Sequence, residues 1–255
     1  MKIKEYVVSI ILPVHNASKF LPECLESLKN QSYQDIQIIA IDDFSTDNSL
    51  SILKKFGREY KKLEVYHNKK RYGLAICYNR ALKVAKGRFI AFMNPNDINA
   101  VNRLKRQVNF LLKNPKTVAV GTQYTSIDES CRKLERSNLP QVHEEIYENV
   151  IQASSLLPET VMVNRERLPK DLLYFKATKY PFVFTEVFLK FFQYGSVANI
   201  VHSLYYHREG IKRHGRKLSK RNHIASMLKL WFTSKSYNDY RPSFKTFIPQ
   251  LVKGI

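Results

Sequence analysis

Three short polar stretches stand out in the first hundred residues. They are Pro13-Val14-His15-Asn16, Asp42-Asp43-Phe44-Ser45 and Asn94-Pro95-Asn96-Asp97. Carboxylates such as Asp42, Asp43 and Asp97 accept hydrogen bonds from hydroxyl and imide groups, and carboxylate or amide oxygens can coordinate a hard cation. The chain as a whole carries 42 Lys and Arg against 22 Asp and Glu, a formal net charge of +20. A field of that sign draws anions: nucleotide phosphates, anionic lipid headgroups or nucleic acid.

Each polar stretch follows a run that reads as a buried strand: Val7 to Leu12, Ile36 to Ile41 and Phe89 to Met93. Such near-continuous apolar runs suit parallel strands covered on both faces. Amphipathic helices alternate with them. Leu21, Cys24, Leu25 and Leu28 recur at helical spacing, with Asn16 or Ser18 as the cap; a second helix runs to about Tyr60, with Ser45, Thr46 and Asp47 as capping candidates. Leu63 to Tyr66 reads as a third strand, and Leu74, Tyr78, Ala81 and Ala85 mark a helix stopped at Lys86-Gly87. Val101, Leu104, Val108 and Leu111 mark another. Strand and helix alternating in this way predict an α/β fold, a mostly parallel sheet flanked by helices, with ligands at the carboxyl ends of the strands. The three polar stretches all fall on that edge.

Beyond Gly121 the pattern is looser. Thr117 to Tyr124 and Thr160 to Val163 read as strands, and His143 to Ser155 as helical. Val183 to Tyr194 reads as an aromatic helix ending at Gly195, with strands at Val197 to Val201 and Leu204 to Tyr206. The last 48 residues, from Arg208, hold twelve basic and two acidic residues, about half the excess charge. Within them Leu218, Ile224, Met227, Leu228, Trp231 and Phe232 lie among Lys220, Arg221 and Lys229. That pattern suits either a membrane-surface helix or one packed on its own domain.

Several classes are excluded or disfavoured. Cys24, Cys77 and Cys131 are far apart, with no CxxC pair or Cys/His cluster, which fits buried or incidental thiols and a reducing cytosol. No run reaches 18 apolar residues, and the start lacks a signal-type apolar region. No nucleic-acid motif accompanies the basic tail, so no nucleic-acid partner is expected. PVHNAS in place of a Gly-rich loop argues against a dinucleotide dehydrogenase.

VVSIILPVHNASKFLPECLESLKNQSYQDIQIIAIDDFSTDNS, followed by RYGLAICYNRALKVAKGRFIAFMNPND, resembles glycosyltransferase family 2 in order and spacing over about residues 7 to 97. The resemblance implies a GT-A (Rossmann-like) fold and sugar transfer from a nucleotide-diphosphate donor. Carried over residue by residue, it places Pro13, Val14, His15 and Asn16 along the base and ribose, Asp42 and Asp43 on the nucleoside, and Ser45 beside them. Gly73, Asn79 and Arg80 match the next family segment, and Asn94 and Asn96 fall in the donor site. It also divides the chain into a GT-A domain over residues 1–207, with a nucleotide-binding half 1–98 and an acceptor half 99–207, and a basic helical tail over 208–255.

The departures are as informative. Phe44 stands where the family usually has Gly, and Tyr78 where it usually has an Arg facing the donor; Arg71, Arg80 or a lysine could supply that charge. The family's Asp-x-Asp-Asp, whose first and third carboxylates hold Mn²⁺ or Mg²⁺, is Asn94-Pro95-Asn96-Asp97 here. Any cation would rest on Asp97 and Asn96 and be weakly held. The family's Glu-Asp pair, counted back from Gly195, falls on Val183-Phe184, which leaves Glu186 as the candidate base. No Gln-x-x-Arg-Trp motif is present, so a non-processive enzyme is expected.

These readings leave two expectations. One is a cytoplasmic transferase passing a sugar, most simply from a UDP-sugar, to a glycan or lipid-linked acceptor, peripheral to an anionic membrane through 208–255. The other is a weakened or inactive relative that binds a nucleotide, a sugar or a partner.

Overall fold

The computed structural model describes residues 7–152, 155–176, 183–211, 225, 228–235 and 240–242. The order of elements is β1 (Val8–Val14), α1 (Leu21–Lys29), β2 (Ile36–Asp42), α2 (Ser49–Glu59), β3 (Leu63–His67), α3 (Leu74–Val84), β4 (Phe89–Phe92), β5 (Ile98–Asn99) and α4 (Arg103–Lys113). Then come β6 (Thr117–Ile127), β7 (Lys133–Arg136), α5 (His143–Asn149), β8 (Met162–Asn164), α6 (Val183–Phe191) and β9 (Ser196–Arg208).

One sheet in the order β3-β2-β1-β4-β8-β6-β9-β5 organises the molecule, with β7 paired to β6. β3, β2, β1 and β4 are parallel; β8 runs against both β4 and β6, and β9 runs parallel to β6. The strict alternation of the strands sorts two cores. Ile11, Ile39, Ile41, Ile90 and Phe92 face α3 and α6, while Ile10, Leu12, Ile38, Ala40 and Ala91 face α1 and α4. With both faces covered, strands β1, β2 and β4 are buried throughout, which is why they read as unbroken apolar runs.

Several local expectations change. Helix α1 starts at Leu21 with Phe20 as its unbonded cap, so neither Asn16 nor Ser18 caps it. Instead the loop after β1 is stitched to the loop after β2. Asn16 N–H donates to Ser45 Oγ (3.1 Å), Thr46 N–H to Asn16 Oδ1 (2.8 Å) and Ser18 N–H to Asp47 Oδ2 (2.9 Å). Of the three residues expected to cap α2, only Asp47 reaches it, accepting from Ser49 N–H at 2.9 Å. Burial raises the Asp47 carboxyl, but the Ser49 and Ser18 donors win and bring it to about 2.

Gly87 does not stop α3; Ala85, in extended conformation, does. A Cβ at Gly87 would lie 2.5 Å from Ser9 N and Val7 O, so the residue serves close backbone approach to β1. The two strands expected at 197–201 and 204–206 are one long β9, whose register against β6 shifts beside Gln123. His143–Ser155 is helical only to Asn149, followed by a single 3-10 turn.

Most of the basic stretch falls outside the described residues, including Leu218, Lys220, Arg221, Ile224 and Met227. In the part that is described, residues 228–235 are helical. Leu230 and Tyr240 join the core beneath α3 and α6, and Tyr240 donates to Tyr147 O at 2.6 Å while its ring stacks on Phe192. That side of the helix therefore packs on its own domain, while Phe232 is 62% exposed.

Candidate functional site

The carboxyl ends of β1 and β2 open onto a cleft lined by Pro13, Val14, His15, Asp43, Arg71, Gly73, Leu74 and Cys77. Its floor is Asp43. Oδ1 accepts from Asn68 Nδ2 (2.7 Å) and Tyr72 N–H (2.9 Å), and Oδ2 accepts from Gly73 N–H (2.8 Å). Burial alone would raise this carboxyl; the Tyr72, Asn68 and Gly73 donors outweigh it and hold the group below the ordinary carboxylate value. The Cys77 thiol, a weak donor, also bonds this carboxylate, so a ligand hydroxyl or imide N–H would take the place of that thiol.

Neighbouring groups fix that geometry. His15 Nδ1 lies 2.9 Å from Asp43 O. A carbonyl only accepts, so Nδ1 carries the proton of this bond. Asn68, at the end of β3, relays Arg80: the guanidinium donates to Asn68 Oδ1, and the Asn68 amide donates to Asp43. Cys77 lines the cleft as a neutral thiol, pushed up to about 12 by burial and then by the charge of Asp43. Gly73 has φ +88°, a backbone that favours glycine and lets its N–H turn in toward Asp43.

Asp42 and Asp43 do different work. Asp42 is wholly buried, with Oδ2 accepting from His67 Nδ1 (2.8 Å) and Ser45 N–H (3.2 Å) and Oδ1 unpartnered, so it braces the loop from behind. Phe44 takes the left-handed conformation (φ +60°) that glycine adopts freely, its ring stacked on His67. Ser45 holds Asn16 and does not line the cleft. Asn79 is also committed elsewhere: its amide donates to Phe175 O (2.6 Å) and accepts from Phe175 N–H (2.9 Å), clamping that segment onto α3.

The loop after β4 leaves the same sheet edge, since β4 is the neighbour of β1. Asp97 is fully buried there. Tyr205 O–H donates to Oδ2 and Arg208 N–H to Oδ1, both at 2.9 Å. Arg208, counted by its sequence position with the basic tail, is fully buried at the end of β9. It donates to Asn96 O, Asp128 O and Glu129 O at 3.0 Å each and to Glu23 at 2.5 Å, and lies 4.3 Å over the Phe20 ring. Asn94 Oδ1 accepts from Asn96 N–H at 3.0 Å. This donor set does not fit a firmly held Mn²⁺ or Mg²⁺. The two ligand positions carry neutral amides, one already used within the loop, and both Asp97 oxygens are bonded to the protein. Among the described residues no three His, Cys, Asp or Glu side chains are grouped as ligands.

The other departures turn out to be neighbours. Tyr78 and Phe184 have ring centroids 4.9 Å apart, and both pack on Phe92 and Phe175. One buried aromatic cluster occupies the positions of the family's Arg and of its acidic pair. Glu186, on α6, is not among the residues lining the cleft; Lys176 Nζ holds its carboxylate at 2.7 Å.

Sequence reading missed Asn68, Tyr205 and Arg208. Asn68 carried a usable signal, a polar residue just after a parallel strand on the same edge. Tyr205 and Arg208 carried none, because their partners lie more than a hundred residues away.

A four-stranded parallel half ending in a carboxylate-floored cleft, continued by a mixed half, is the GT-A architecture. Residues 9 to 167 match the family described as Glycosyl transferase family 2. The chain is 32% identical over 162 residues to an uncharacterized glycosyltransferase of Haemophilus influenzae, covering 64% of each. It is 36% identical over 110 residues to the Escherichia coli UDP-Glc:α-D-GlcNAc-diphosphoundecaprenol β-1,3-glucosyltransferase WfgD, covering 43% of each. The structure of S. aureus TarS 1–349 in complex with UDP superposes with a TM-score of 0.71 at 21% identity, over 89% of this chain and 64% of that one, a likeness of fold. This chain belongs to glycosyltransferase family 2. It spans less than two thirds of the length of these relatives.

Proposed function

We propose that the chain binds a UDP-sugar in the Asp43 cleft and transfers the sugar to a glycan or lipid-linked acceptor. The observation that carries this reading is Asp43 itself. It is a buried carboxylate kept ionised by two backbone N–H groups, Asn68 and the weak Cys77 thiol donor, and it lines the cleft at the carboxyl edge where such sheets hold ligands. The uracil imide or a ribose hydroxyl, each a stronger donor than a thiol, suits that carboxylate, with Pro13, Val14 and His15 alongside. Support for UDP comes from the UDP bound to TarS and the UDP-Glc in the name of the E. coli relative; that same name supports a lipid-linked acceptor. Glu186 serves as the base only if the acceptor displaces Lys176 from it.

The aromatic cluster at Tyr78 and Phe184 favours a second reading, a donor-binding relative without turnover, because Phe184 cannot take a proton and Tyr78 lacks the positive charge of an arginine. Calorimetry with UDP and GDP on the parent and on Asp43→Ala tests the site, and release of UDP from UDP-sugars tests the chemistry. UDP binding that Asp43→Ala leaves unchanged rejects the site. Binding without turnover across a donor and acceptor screen selects the second reading.

A further inference from the structure

We propose that the donor's diphosphate is neutralised in this chain by the Arg71 guanidinium and not by a bridging divalent cation. The inference rests on the reading that the cleft takes a nucleoside diphosphate; it holds whether or not the sugar is transferred.

The first argument is charge balance. A pair of carboxylates beside a diphosphate sets like charges together, and a cation between them relieves the repulsion. Here Asn94 and Asn96 remove both negative charges, and Asp97 is turned inward onto Tyr205 and Arg208. The cup therefore repels the diphosphate less and grips a cation less. Both changes shift the neutralising role onto a basic side chain.

The second argument is which side chain. Arg103 and Arg208 are fully buried, with their donors spent on Asn99, Gln107, carbonyls and Glu23. Arg80 faces Asn68. The position where the family places an arginine is Tyr78, sealed in the aromatic cluster. Among the described residues lining the cleft, Arg71 is the one arginine or lysine. It is exposed to solvent, and its backbone is anchored at the site because the next two N–H groups, of Tyr72 and Gly73, both grip Asp43. A guanidinium stays charged at any working pH and can make paired hydrogen bonds to phosphate oxygens.

The test is calorimetry on the full chain with UDP and with uridine as probes, in EDTA and then in excess Mn²⁺. We expect UDP affinity to change less than about threefold between the two conditions, a small effect on the scale of tenfold per 1.4 kcal/mol. Arg71→Ala should weaken UDP about ten- to a hundredfold, the range of a charge-assisted bond, and uridine less than about twofold. Arg71→Lys should fall between, having lost the paired geometry. Asn94→Asp/Asn96→Asp should weaken UDP in EDTA and restore it with Mn²⁺. UDP binding that EDTA abolishes, or an Arg71→Ala protein that binds UDP like the parent or loses uridine equally, overturns the proposal. A parent that binds neither UDP nor uridine removes the underlying reading as well, whereas binding that requires Mn²⁺ removes this inference alone.

Discussion

Asp43 directly follows β2 and Asp97 closes the loop after β4, both at the carboxyl edge of one sheet, yet the protein uses them oppositely. Asp43 is bonded by the backbone of Tyr72 and Gly73 and by Asn68, and still fronts a cleft. Asp97 is bonded by Tyr205 and by the backbone of Arg208, and fronts nothing outside the protein. Edge position thus makes a carboxylate available to a ligand only where the rest of the chain leaves it facing a cleft. In the first case the donors come from the stretch between β3 and α3, which packs beside β2. In the second they come from β9 and join the first half of the sheet to the last.

That contrast predicts an ordering of stability losses. Asp97→Ala should be the largest, about 3–5 kcal/mol, because it strands the buried Tyr205 hydroxyl and Arg208 amide and removes one of the anions that favour the charged form of buried Arg103. Urea denaturation measures it. A loss below about 1 kcal/mol would erase the distinction between the two aspartates.

The aromatic cluster sharpens the same point on the β4 side. Tyr78→Arg and Phe184→Asp should each cost about 3 kcal/mol, since each places a charge among Phe92, Phe175 and Phe188. The double variant should be less destabilised than the sum by at least about 1 kcal/mol, because the two new charges would meet across the 4.9 Å now spanned by the rings. Strict additivity would mean that the two departures are unrelated substitutions. Arg208→Met should cost less, about 2 kcal/mol, because it frees Glu23, which is 49% exposed and can return to water. The same urea series checks it, and a neutral result would make the Arg208 knot dispensable.

How much of this was readable beforehand follows from the same distances. Strands β1, β2 and β4 were legible because helices cover both faces and force unbroken apolar runs. Asp43 was legible from its place after β2, and its donors lie within 30 residues. The enclosure of Asp97 was not, because its partners arrive 108 and 111 residues later. β9 looked like two strands because its register shift leaves Val201 exposed in mid-strand. Val183-Phe184 read as a missing base; that Phe184 meets Tyr78 is a contact between α6 and α3 that no local pattern encodes.

The smallest stability effect should belong to Asp43→Asn, and it is the most telling. The change removes the charge but keeps the shape, so the fold should lose about 1 kcal/mol at neutral pH, with the N–H groups of Tyr72 and Gly73 now facing a neutral oxygen or an amide. The pH dependence gives a second signature. Asp43's native pKa is depressed, so its contribution is fully present above the ordinary carboxylate value of about 4 and disappears as pH falls through the lowered native value. The parent should therefore lose its advantage over Asp43→Asn in acid, and the two stability curves should converge below that range. UDP binding should instead fall about tenfold or more at neutral pH, because the amide offers one oxygen where the carboxylate offered two. Asp97→Ala should reverse this pattern, with a large stability loss and near-parental UDP affinity in whatever fraction folds. If both variants lost stability and affinity in the same proportion, the cleft and the sealed loop would be one cooperative unit, and the division of labour between the two aspartates would fail.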